Sequence, residues 1–236
     1  MRPLFIAGCP RSGTSAFTNY LIVHPSVLVT MERYDIGMDI TPDLFTPERL
    51  ADFRDGDTGQ PPEPTMRLLK NKDWSQVKWI GDKRPTYFLK YDELREANPG
   101  AHFFYLYRPL DEVARSFLAR DWKFGIEDAI RFWKVGLTRT RRLAESGAPV
   151  MVVGYRSFFT EPEPWLPVLS SFLDVEFGED ELKVWRARSA AREGSPESMR
   201  PLSPEEEAMV SVAREGSGER WALRRIDEQL GAGVAS

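Results

Sequence analysis

The sequence predicts an α/β protein in which a parallel β-sheet is flanked by helices. Short apolar runs alternate along the chain with amphipathic helical segments, which is the pattern of strand–helix–strand units with right-handed crossovers. The runs are apolar at almost every position, as expected for strands whose two faces are both covered. The run AHFFYLYRP at 101–109 is the clearest example.

The strands are predicted from apolar runs that are rich in β-branched and aromatic residues: 3–8, 27–30, 77–85, 101–109 and 150–155. The helices are predicted from apolar residues at three- and four-residue spacing and from Pro or Gly stop signals. They are SAFTNYLIVHP, stopping near Pro25, then residues 88–97, LDEVARSFLARDW, EDAIRFWKVGLTRTRRLAES and PWLPVLSSFLDV.

Two segments are predicted to lack regular structure over most of their length. Residues 36–78 include the Gly-, Pro- and Asp-rich loop RDGDTGQPPEP, and we interpret them as an insertion on the acceptor side. Residues 186–205 are rich in Arg, Ser, Glu and Pro and are predicted to form a long loop. The last residues, GAGVAS, are expected to fray. No repeat or linker is visible, so one domain over 1–236 is predicted.

Composition limits the function classes. A chain of 236 residues with 42% hydrophobic residues can bury a core without disulfides or a structural metal. The net charge of −4 argues against general nucleic-acid binding but allows a local basic cleft. Cys9 is the only cysteine, which favours a reducing compartment, and no apolar stretch is long enough to span a membrane, so a cytoplasmic protein is expected. Two scattered His and one Cys suggest no metal site.

A phosphate-binding loop is predicted directly after the first strand. Gly8 and Gly13 have G-x-x-x-x-G spacing, but Thr14 occupies the position where a nucleotide triphosphate site has Lys. Backbone N–H groups and the helix dipole can still bind an anion, and Arg11 supplies positive charge. Such a loop suits a single 5′-phosphate that carries a small anionic group. The alternative is a tight turn without a ligand.

The stretch FIAGCPRSGTSAFTNYLIVHP resembles the 5′-phosphosulfate loop of the sulfotransferase family. Members of that family use 3′-phosphoadenosine 5′-phosphosulfate as donor and carry P-[RK]-[ST]-G-[ST]-[ST] at this place. The resemblance implies a P-loop-like three-layer sandwich. It also implies that the donor contacts in this loop are Pro10, Arg11, Ser12, Gly13, Thr14 and Ser15.

A second segment, FFYLYRPLDEVARSF, is similar to the part of the family that binds the 3′-phosphate, with Arg108 and Ser116 as the binding residues. The end of a parallel strand is where open α/β sheets bind ligands, and Arg can bind phosphate with two N–H groups. The alternative is that Arg108 pairs with Asp111 or Glu112, and that Ser116 is only a small residue on a helix face.

A third segment, VMVVGYRSFFTEPEPWLPVLSSFLDV, is similar to a family pattern of strand, Tyr, acidic-proline turn and helix. The resemblance places Tyr155 at the donor site. The late segment RAREGSPESMRPLSPEEE resembles the family's closing loop, so Arg192, Ser195 or Arg200 could contact the 3′-phosphate or adenine. A disordered basic loop would have the same composition.

Sulfuryl transfer needs a base for the acceptor proton and cations that offset charge on the sulfonyl and bridging oxygens. The candidate bases are Glu32, Asp35, Asp82, His24 and His102. Glu32 lies just beyond the second strand, and many relatives by resemblance carry Glu there, which makes it the first choice. Its alternative role is a surface carboxylate paired with Arg33. Both histidines are expected at the opposite edge of the sheet.

The segment WIGDKRPTYF is similar to the G-[DE]-K-[ST]-P-x-Y of some family members. Lys83, together with Arg11, could stabilise charge on the transferring group, and Asp82 is a reserve base. Arg84 stands where Ser or Thr is commoner. The alternative is a solvated basic turn.

Aromatic residues near the sheet edge could form an acceptor pocket, although most aromatic residues simply belong to the core. They are Tyr34, Phe45, Phe53, Trp74, Trp79, Trp122, Phe124, Phe132 and Trp133. The acceptor class stays open between a small molecule, a glycan and a glycolipid, and so does the oligomeric state. The rival functions are a P-loop kinase for a small molecule and an inactive nucleotide-binding scaffold.

Overall fold

The central sheet has five parallel strands among the residues that the computed structural model describes, which are 1–58, 62–120, 123–193 and 199–234. The strands are β1 (Arg2–Gly8), β2 (Val27–Met31), β3 (Trp79–Lys83), β4 (His102–Tyr107) and β5 (Val150–Gly154). Their order is β2-β3-β1-β4-β5, and every neighbouring pair is parallel. The predicted α/β class with a parallel sheet is therefore confirmed.

The helices follow the predicted alternation. They are α1 (Thr14–Leu21), α2 (Pro47–Ala51), α3 (Glu63–Asn71), α4 (Tyr91–Ala97), α5 (Leu110–Leu118), α6 (Ile126–Glu145), α7 (Tyr155–Thr160), α8 (Trp165–Leu173), α9 (Glu179–Glu193), α10 (Pro204–Arg214) and α11 (Glu219–Val234). From β1 the chain crosses to the edge strand β2, returns through β3 to the place beside β1, and then continues on the other side of β1 through β4 to β5. Right-handed crossovers put helices on both faces of such a sheet. Helices α1, α3, α6 and α11 contact strands directly.

The core forms because the strands are apolar on both faces. Every residue of β5 is buried, and so is every residue of β4 after His102. Strand β3 is shorter than predicted because Pro85, which has no N–H to donate to a sheet, begins a 3-10 turn over Pro85–Leu89.

The prediction of a loop over 186–205 is wrong in its first part. Helix α9 continues to Glu193, because Leu, Ala, Arg and Glu are good helix formers and Trp185 anchors this helix in the core. The Trp185 indole donates to the carbonyl of Tyr20 at 3.2 Å. Residues 199–203 have no regular structure before α10 begins.

The expected fraying of GAGVAS is also wrong for the residues up to Val234, which belong to α11. A Cβ atom at Gly233 would lie 2.6 Å from Val168, so the glycine lets α11 pack closely on α8. Because this packing holds the helix end, the low helix propensity of glycine does not decide the local structure.

The segment 36–78 contains α2 and α3 and is stabilised by a buried charge cluster. Asp57 accepts two hydrogen bonds from Arg49, at 2.8 and 2.5 Å, and lies 2.9 Å from the guanidinium of Arg33. The Arg33 guanidinium also stacks 3.7 Å from the ring centre of Phe53. Burial opposes ionisation of Asp57, but the hydrogen bonds from Arg49 and Arg33 keep its pKa below the usual value. The cluster fixes the chain that follows β2.

Candidate active site

The C-terminal edge of the sheet brings the candidate residues together. In the register, Lys83 at the end of β3 lies beside Met31 of β2 and Ile6 of β1, and Leu106 of β4 lies beside Gly8. The residues that follow these strand ends therefore meet at one edge. The direction of the strand order reverses at β1, which is the kind of position where open α/β sheets bind ligands.

The loop between β1 and α1 has the geometry of an anion site. Arg11 and Gly13 both have left-handed backbone angles, with φ values of 75° and 89°. Helix α1 begins at Thr14, and the N-cap residue Gly13 has no side chain that could cap the first N–H groups. These N–H groups and the positive end of the helix dipole therefore face the loop, where they can bind phosphate.

Glycine at position 13 is also required by a close approach. A Cβ atom there would lie 2.6 Å from the ring of Tyr155, at the start of α7. Tyr155, which the resemblance places at the donor site, therefore packs directly on the loop.

Arg11, Arg108 and Ser116 form one hydrogen-bonded group, although they come from the loop, the end of β4 and helix α5. Arg11 Nε donates to Ser116 Oγ at 3.1 Å, and Arg108 Nη1 donates to the Arg11 carbonyl at 3.1 Å. Arg108 and Ser116 are buried. The residues predicted for the two phosphates are thus direct neighbours in the folded chain.

The alternative pairing of Arg108 with an acidic neighbour is also present, and its partner is Glu112. Arg108 Nε donates to Glu112 Oε2 at 3.0 Å, and the other carboxylate oxygen lies 2.5 Å from Arg156 Nε. The Arg108 guanidinium lies 4.1 Å from the ring centre of Tyr155, in cation–π contact. Glu112 therefore holds two arginines at this end of the site.

The second centre is a network around Lys83. Its Nζ donates to Glu32 Oε1 at 2.7 Å and to Ser15 Oγ at 2.9 Å. The Lys83 side chain is 1% exposed, whereas that of Glu32 is 27% exposed, so the carboxylate is the member of the pair that solvent or a substrate reaches. Lys83 thus connects the phosphate loop to the predicted base.

The backbone at Glu32 is in the left-handed region, with φ at 56°, which is uncommon for a residue other than glycine. Hydrogen bonds hold it there: its N–H donates to the Lys83 carbonyl at 2.7 Å, and its carbonyl accepts from Thr58 Oγ1 at 2.7 Å. The alternative in which Glu32 pairs with Arg33 is wrong, because Arg33 pairs with Asp57.

The reserve base Asp82 is fully buried. Its carboxylate accepts hydrogen bonds from Thr30 at 2.8 Å, from Tyr87 at 2.6 Å and from the backbone N–H of Arg33. Burial raises its pKa. Asp82 therefore stabilises the turn after β2 instead of facing a substrate. Asp35 accepts from the N–H of Gly37 at 2.8 Å in a local turn.

Both histidines lie at the opposite edge of the sheet, as expected. His24 bonds to the Glu176 carbonyl at 3.1 Å, and His102 at the start of β4 packs 4.5 Å from the ring centre of Trp79. Burial lowers the pKa of each imidazole. Their contacts are those of structural residues.

A cavity of about 670 Å³ adjoins the loop. Its floor is formed by loop and helix residues including Pro10, Arg11, Gly13, Thr14 and Ser15. Its other walls include Glu32, Ile36, Arg84, Pro85, Thr86, Leu89, Phe117, Phe124 and Phe132. The cavity therefore joins the phosphate loop, the predicted base and an apolar region.

Of the aromatic residues predicted for an acceptor pocket, Phe124 and Phe132 line this cavity, and Phe117 lines it without having been predicted. Four others are core residues: Tyr34, Phe45, Trp79 and Trp133. Phe53 stacks on Arg33, Trp74 is half-buried near α3, and Trp122 lies outside the described residues.

The structure describes only part of the C-terminal segment that was predicted to contact the donor. The side chain of Arg192 and the whole of Ser195 lie outside the described residues. Arg200 pairs with Glu206, and its N–H donates to the Arg115 carbonyl at 3.0 Å, next to Ser116 in the chain.

Among the described residues, no three or more His, Cys, Asp or Glu side chains are grouped so that they could hold a metal ion. No helix in the described part of the chain has the length and apolar character needed to cross a bilayer.

The fold and this edge define a P-loop-like α/β protein with a loop built for an anion and a Lys–Glu pair beside it. The model of the sulfotransferase family known as Sulfotransfer_3 matches residues 3–179. The chain therefore belongs to the sulfotransferase family. None of the curated proteins compared with it matches.

Solved sulfotransferases share the fold. One from Alicyclobacillus acidocaldarius is 21% identical, with a TM-score of 0.57 over 98% of this chain and 96% of that one. STF1 from Mycobacterium tuberculosis is 16% identical, with a TM-score of 0.55 over 91% and 76%. Mouse SULT7A1, solved in complex with PAP, is 14% identical, with a TM-score of 0.50 over 97% and 82%.

Proposed function

We propose that this protein transfers a sulfuryl group from 3′-phosphoadenosine 5′-phosphosulfate to a hydroxyl or amine of an acceptor. The observation that carries the proposal is that two groups meet at one sheet edge: the Arg11–Ser116–Arg108 group and the Lys83–Glu32 pair. The first suits a nucleotide with phosphates at both ends, and the second suits proton removal beside a transferring anion.

The donor would be bound from both ends. The N–H groups at the start of α1 and the side chains of Thr14 and Ser15, which line the cavity, would hold the 5′-phosphosulfate. The side chain of Ser12 is fully buried against Gly8, so the part it was predicted to play falls to its loop neighbours. Arg108 and Ser116 would bind the 3′-phosphate, with Tyr155 packed beside them. The donor nucleotide has no γ-phosphate. Thr14 in place of the P-loop lysine therefore removes no contact that this donor needs.

The reaction is a single in-line displacement at sulfur. The acceptor oxygen or nitrogen forms a bond to sulfur, while the bond from sulfur to the bridging phosphate oxygen breaks. The electron pair of that bond leaves with 3′-phosphoadenosine 5′-phosphate. Glu32 accepts the acceptor proton, and Lys83 and Arg11 offset the negative charge on the sulfonyl and bridging oxygens. The hydrogen bonds of Lys83 to Glu32 and Ser15 hold these groups in place beforehand.

The kinase alternative is disfavoured by two observations. Thr14 replaces the lysine that reaches the β- and γ-phosphates. Asp82, the acidic residue at a strand end, is buried and already accepts hydrogen bonds from Thr30 and Tyr87, so it does not face a magnesium ion.

The test is transfer of labelled sulfuryl from the donor to a panel of hydroxyl and amine compounds. We expect turnover by the native protein and a loss of about 10²- to 10⁴-fold in Glu32→Gln. Glu145→Gln, which changes an exposed carboxylate on α6, is the matched control and should keep full activity. An inactive scaffold would show no turnover from the native protein, and another base would leave Glu32→Gln unaffected.

The predicted reducing, cytoplasmic location is supported by the cysteine content. Cys9 is the only cysteine of the chain, its thiol is buried, and burial raises its pKa. Imaging of the tagged full chain in its source cells tests this part of the proposal, and secretion would contradict it.

A further inference from the structure

Part of the cavity that Glu32 lines has an apolar wall. Three phenylalanine rings pack together there: the ring centres of Phe117 and Phe124 are 6.2 Å apart, those of Phe117 and Phe132 are 6.5 Å apart, and those of Phe124 and Phe132 are 6.2 Å apart. Leu89 and Ile36 line the same cavity. These residues come from separate segments, so the apolar wall is a product of the tertiary fold.

The ring of Phe124 is partly exposed to solvent. Phe124 is 45% exposed, which places it among the exposed large apolar residues, whereas Phe117 is buried behind it. A bound apolar molecule would cover this ring, and removing an aromatic side chain from water is favourable. The wall therefore favours an apolar ligand.

The polar groups of the cavity are few among the described residues, and most are already engaged. Arg84 Nε donates to the Tyr34 carbonyl at 2.9 Å, and its guanidinium lies 3.8 Å from Asp35. Arg84 is therefore held by other residues of the chain. Outside the phosphate loop, the polar side chains among the described residues of the cavity are those of Glu32, Arg84 and Thr86.

A sugar would be poorly matched to this wall. Its several hydroxyl groups would lose their hydrogen bonds to water without finding partners, which is unfavourable for each buried group. An apolar alcohol or phenol needs only one polar contact, at the hydroxyl that reacts, and Glu32, which lines the same cavity, supplies it.

We infer that the acceptor is an apolar small molecule with a single reacting hydroxyl, such as a phenol or an aliphatic alcohol, and not a free sugar. This inference rests on the proposed function. The whole cavity, which the acceptor shares with the donor's phosphosulfate end, has a volume of about 670 Å³, in the range of sites that enclose small ligands. Phe124 and Phe132 are the specificity-determining residues, because they form the part of the wall that a ligand reaches.

The experiment compares labelled sulfuryl transfer to 2-naphthol and 1-decanol with transfer to glucose and N-acetylglucosamine. We expect kcat/KM for the two apolar acceptors to exceed that for the sugars by at least about 100-fold. Phe132→Ala should lower kcat/KM for 2-naphthol by about 10- to 100-fold while leaving the affinity for 3′-phosphoadenosine 5′-phosphate unchanged.

Phe124→Ser provides a second variant, since an exposed position tolerates substitution without loss of folding. It should also lower kcat/KM for 2-naphthol. Val212→Ala, at an exposed position on α10, is the control and should change neither acceptor use nor nucleotide affinity.

The possible outcomes distinguish a failure of the acceptor inference from a failure of the proposed function. A preference for the sugars, unchanged 2-naphthol kinetics in both phenylalanine variants, or no transfer to any of the four acceptors despite nucleotide binding would each overturn the inference and leave the donor site standing. A native protein that does not bind 3′-phosphoadenosine 5′-phosphate would overturn the proposed function and the inference with it.

Discussion

Lys83 Nζ lies 2.7 Å from Glu32 Oε1, in a pair whose lysine is buried and whose carboxylate is partly exposed. Lys83 also donates to Ser15 in the phosphate loop, so the pair couples the predicted base to the site of the transferring group. Two residues that are 51 positions apart in the chain form this contact because β2 and β3 are parallel neighbours.

Replacing Lys83 tests the role of this contact. We expect Lys83→Met to lower kcat by at least about 100-fold, because it removes a fixed cation from a developing charge. The affinity for 3′-phosphoadenosine 5′-phosphate, measured by calorimetry, should fall by less than kcat does, since that product keeps the bridging oxygen but lacks the sulfonyl group. Lys183→Met, at an exposed position on α9, is the control. An equal loss of kcat in the two variants would contradict the assignment.

Thr58 is expected to position Glu32. Its hydroxyl donates to the Glu32 carbonyl at 2.7 Å and helps to hold a backbone with φ at 56°. Thr58→Val should lower kcat by about 5- to 30-fold without changing nucleotide affinity, because about 1–2 kcal/mol of support for the strained backbone is lost. Thr58→Ser keeps the hydroxyl and should restore the rate. If Thr58→Ser is as slow as Thr58→Val, the hydroxyl is not the cause.

The Arg108–Ser116 end is expected to distinguish nucleotides by their 3′-phosphate. Arg108→Ala should weaken binding of 3′-phosphoadenosine 5′-phosphate by about 10- to 100-fold and leave the weaker binding of adenosine 5′-monophosphate nearly unchanged. Ser116→Ala should act in the same direction by about 3- to 10-fold. Arg141→Ala, in a surface pair on α6, is the control. Equal losses for the two nucleotides would place the 3′-phosphate elsewhere.

Asp57 is expected to stabilise the segment after β2. Asp57→Asn leaves Arg33 and Arg49 buried without their common counter-charge, and we expect about 3–5 kcal/mol of unfolding free energy to be lost. Chemical denaturation of the variant and of Asp55→Asn, an exposed neighbour, measures this loss. A difference below about 1 kcal/mol between the two variants would contradict the role of the cluster.

The pKa of Asp57 also predicts a pH dependence. Because its folded pKa lies below the value of about 3.9 for an unfolded chain, the carboxylate adds stability that is present above about pH 4. This stability is lost as the pH falls through the folded pKa. The native protein should therefore lose more unfolding free energy than Asp57→Asn does when the pH is lowered from about 5 to about 2. An equal loss in the two proteins would contradict the role assigned to the Asp57 carboxylate.

The sequence predicted the parts of the site that follow strand ends. Arg11, Glu32, Lys83 and Arg108 could be placed together because the carboxyl ends of parallel strands meet at one edge. The pairing of Arg108, which precedes α5, with Glu112 in its first turn was visible as an i, i+4 spacing, although the sequence could not choose it over Asp111.

The remaining parts depend on tertiary contacts that have no local pattern. Thr58 and Arg156 reach Glu32 and Glu112 only through the folded arrangement of distant segments. Phe117 was not predicted for the cavity because its helix pattern is that of an ordinary core residue. The alternative pairing of Arg33 with Glu32 rested on their adjacency in the chain, but the guanidinium of Arg33 pairs with the buried Asp57.

The central claim is that the site binds an adenosine carrying phosphates at its 3′ and 5′ positions. Isothermal titration calorimetry of the native protein with 3′-phosphoadenosine 5′-phosphate and, separately, with ATP and magnesium tests it most directly. We expect the doubly phosphorylated nucleotide to bind at least about 100-fold more tightly. Tighter binding of ATP with magnesium would contradict the account.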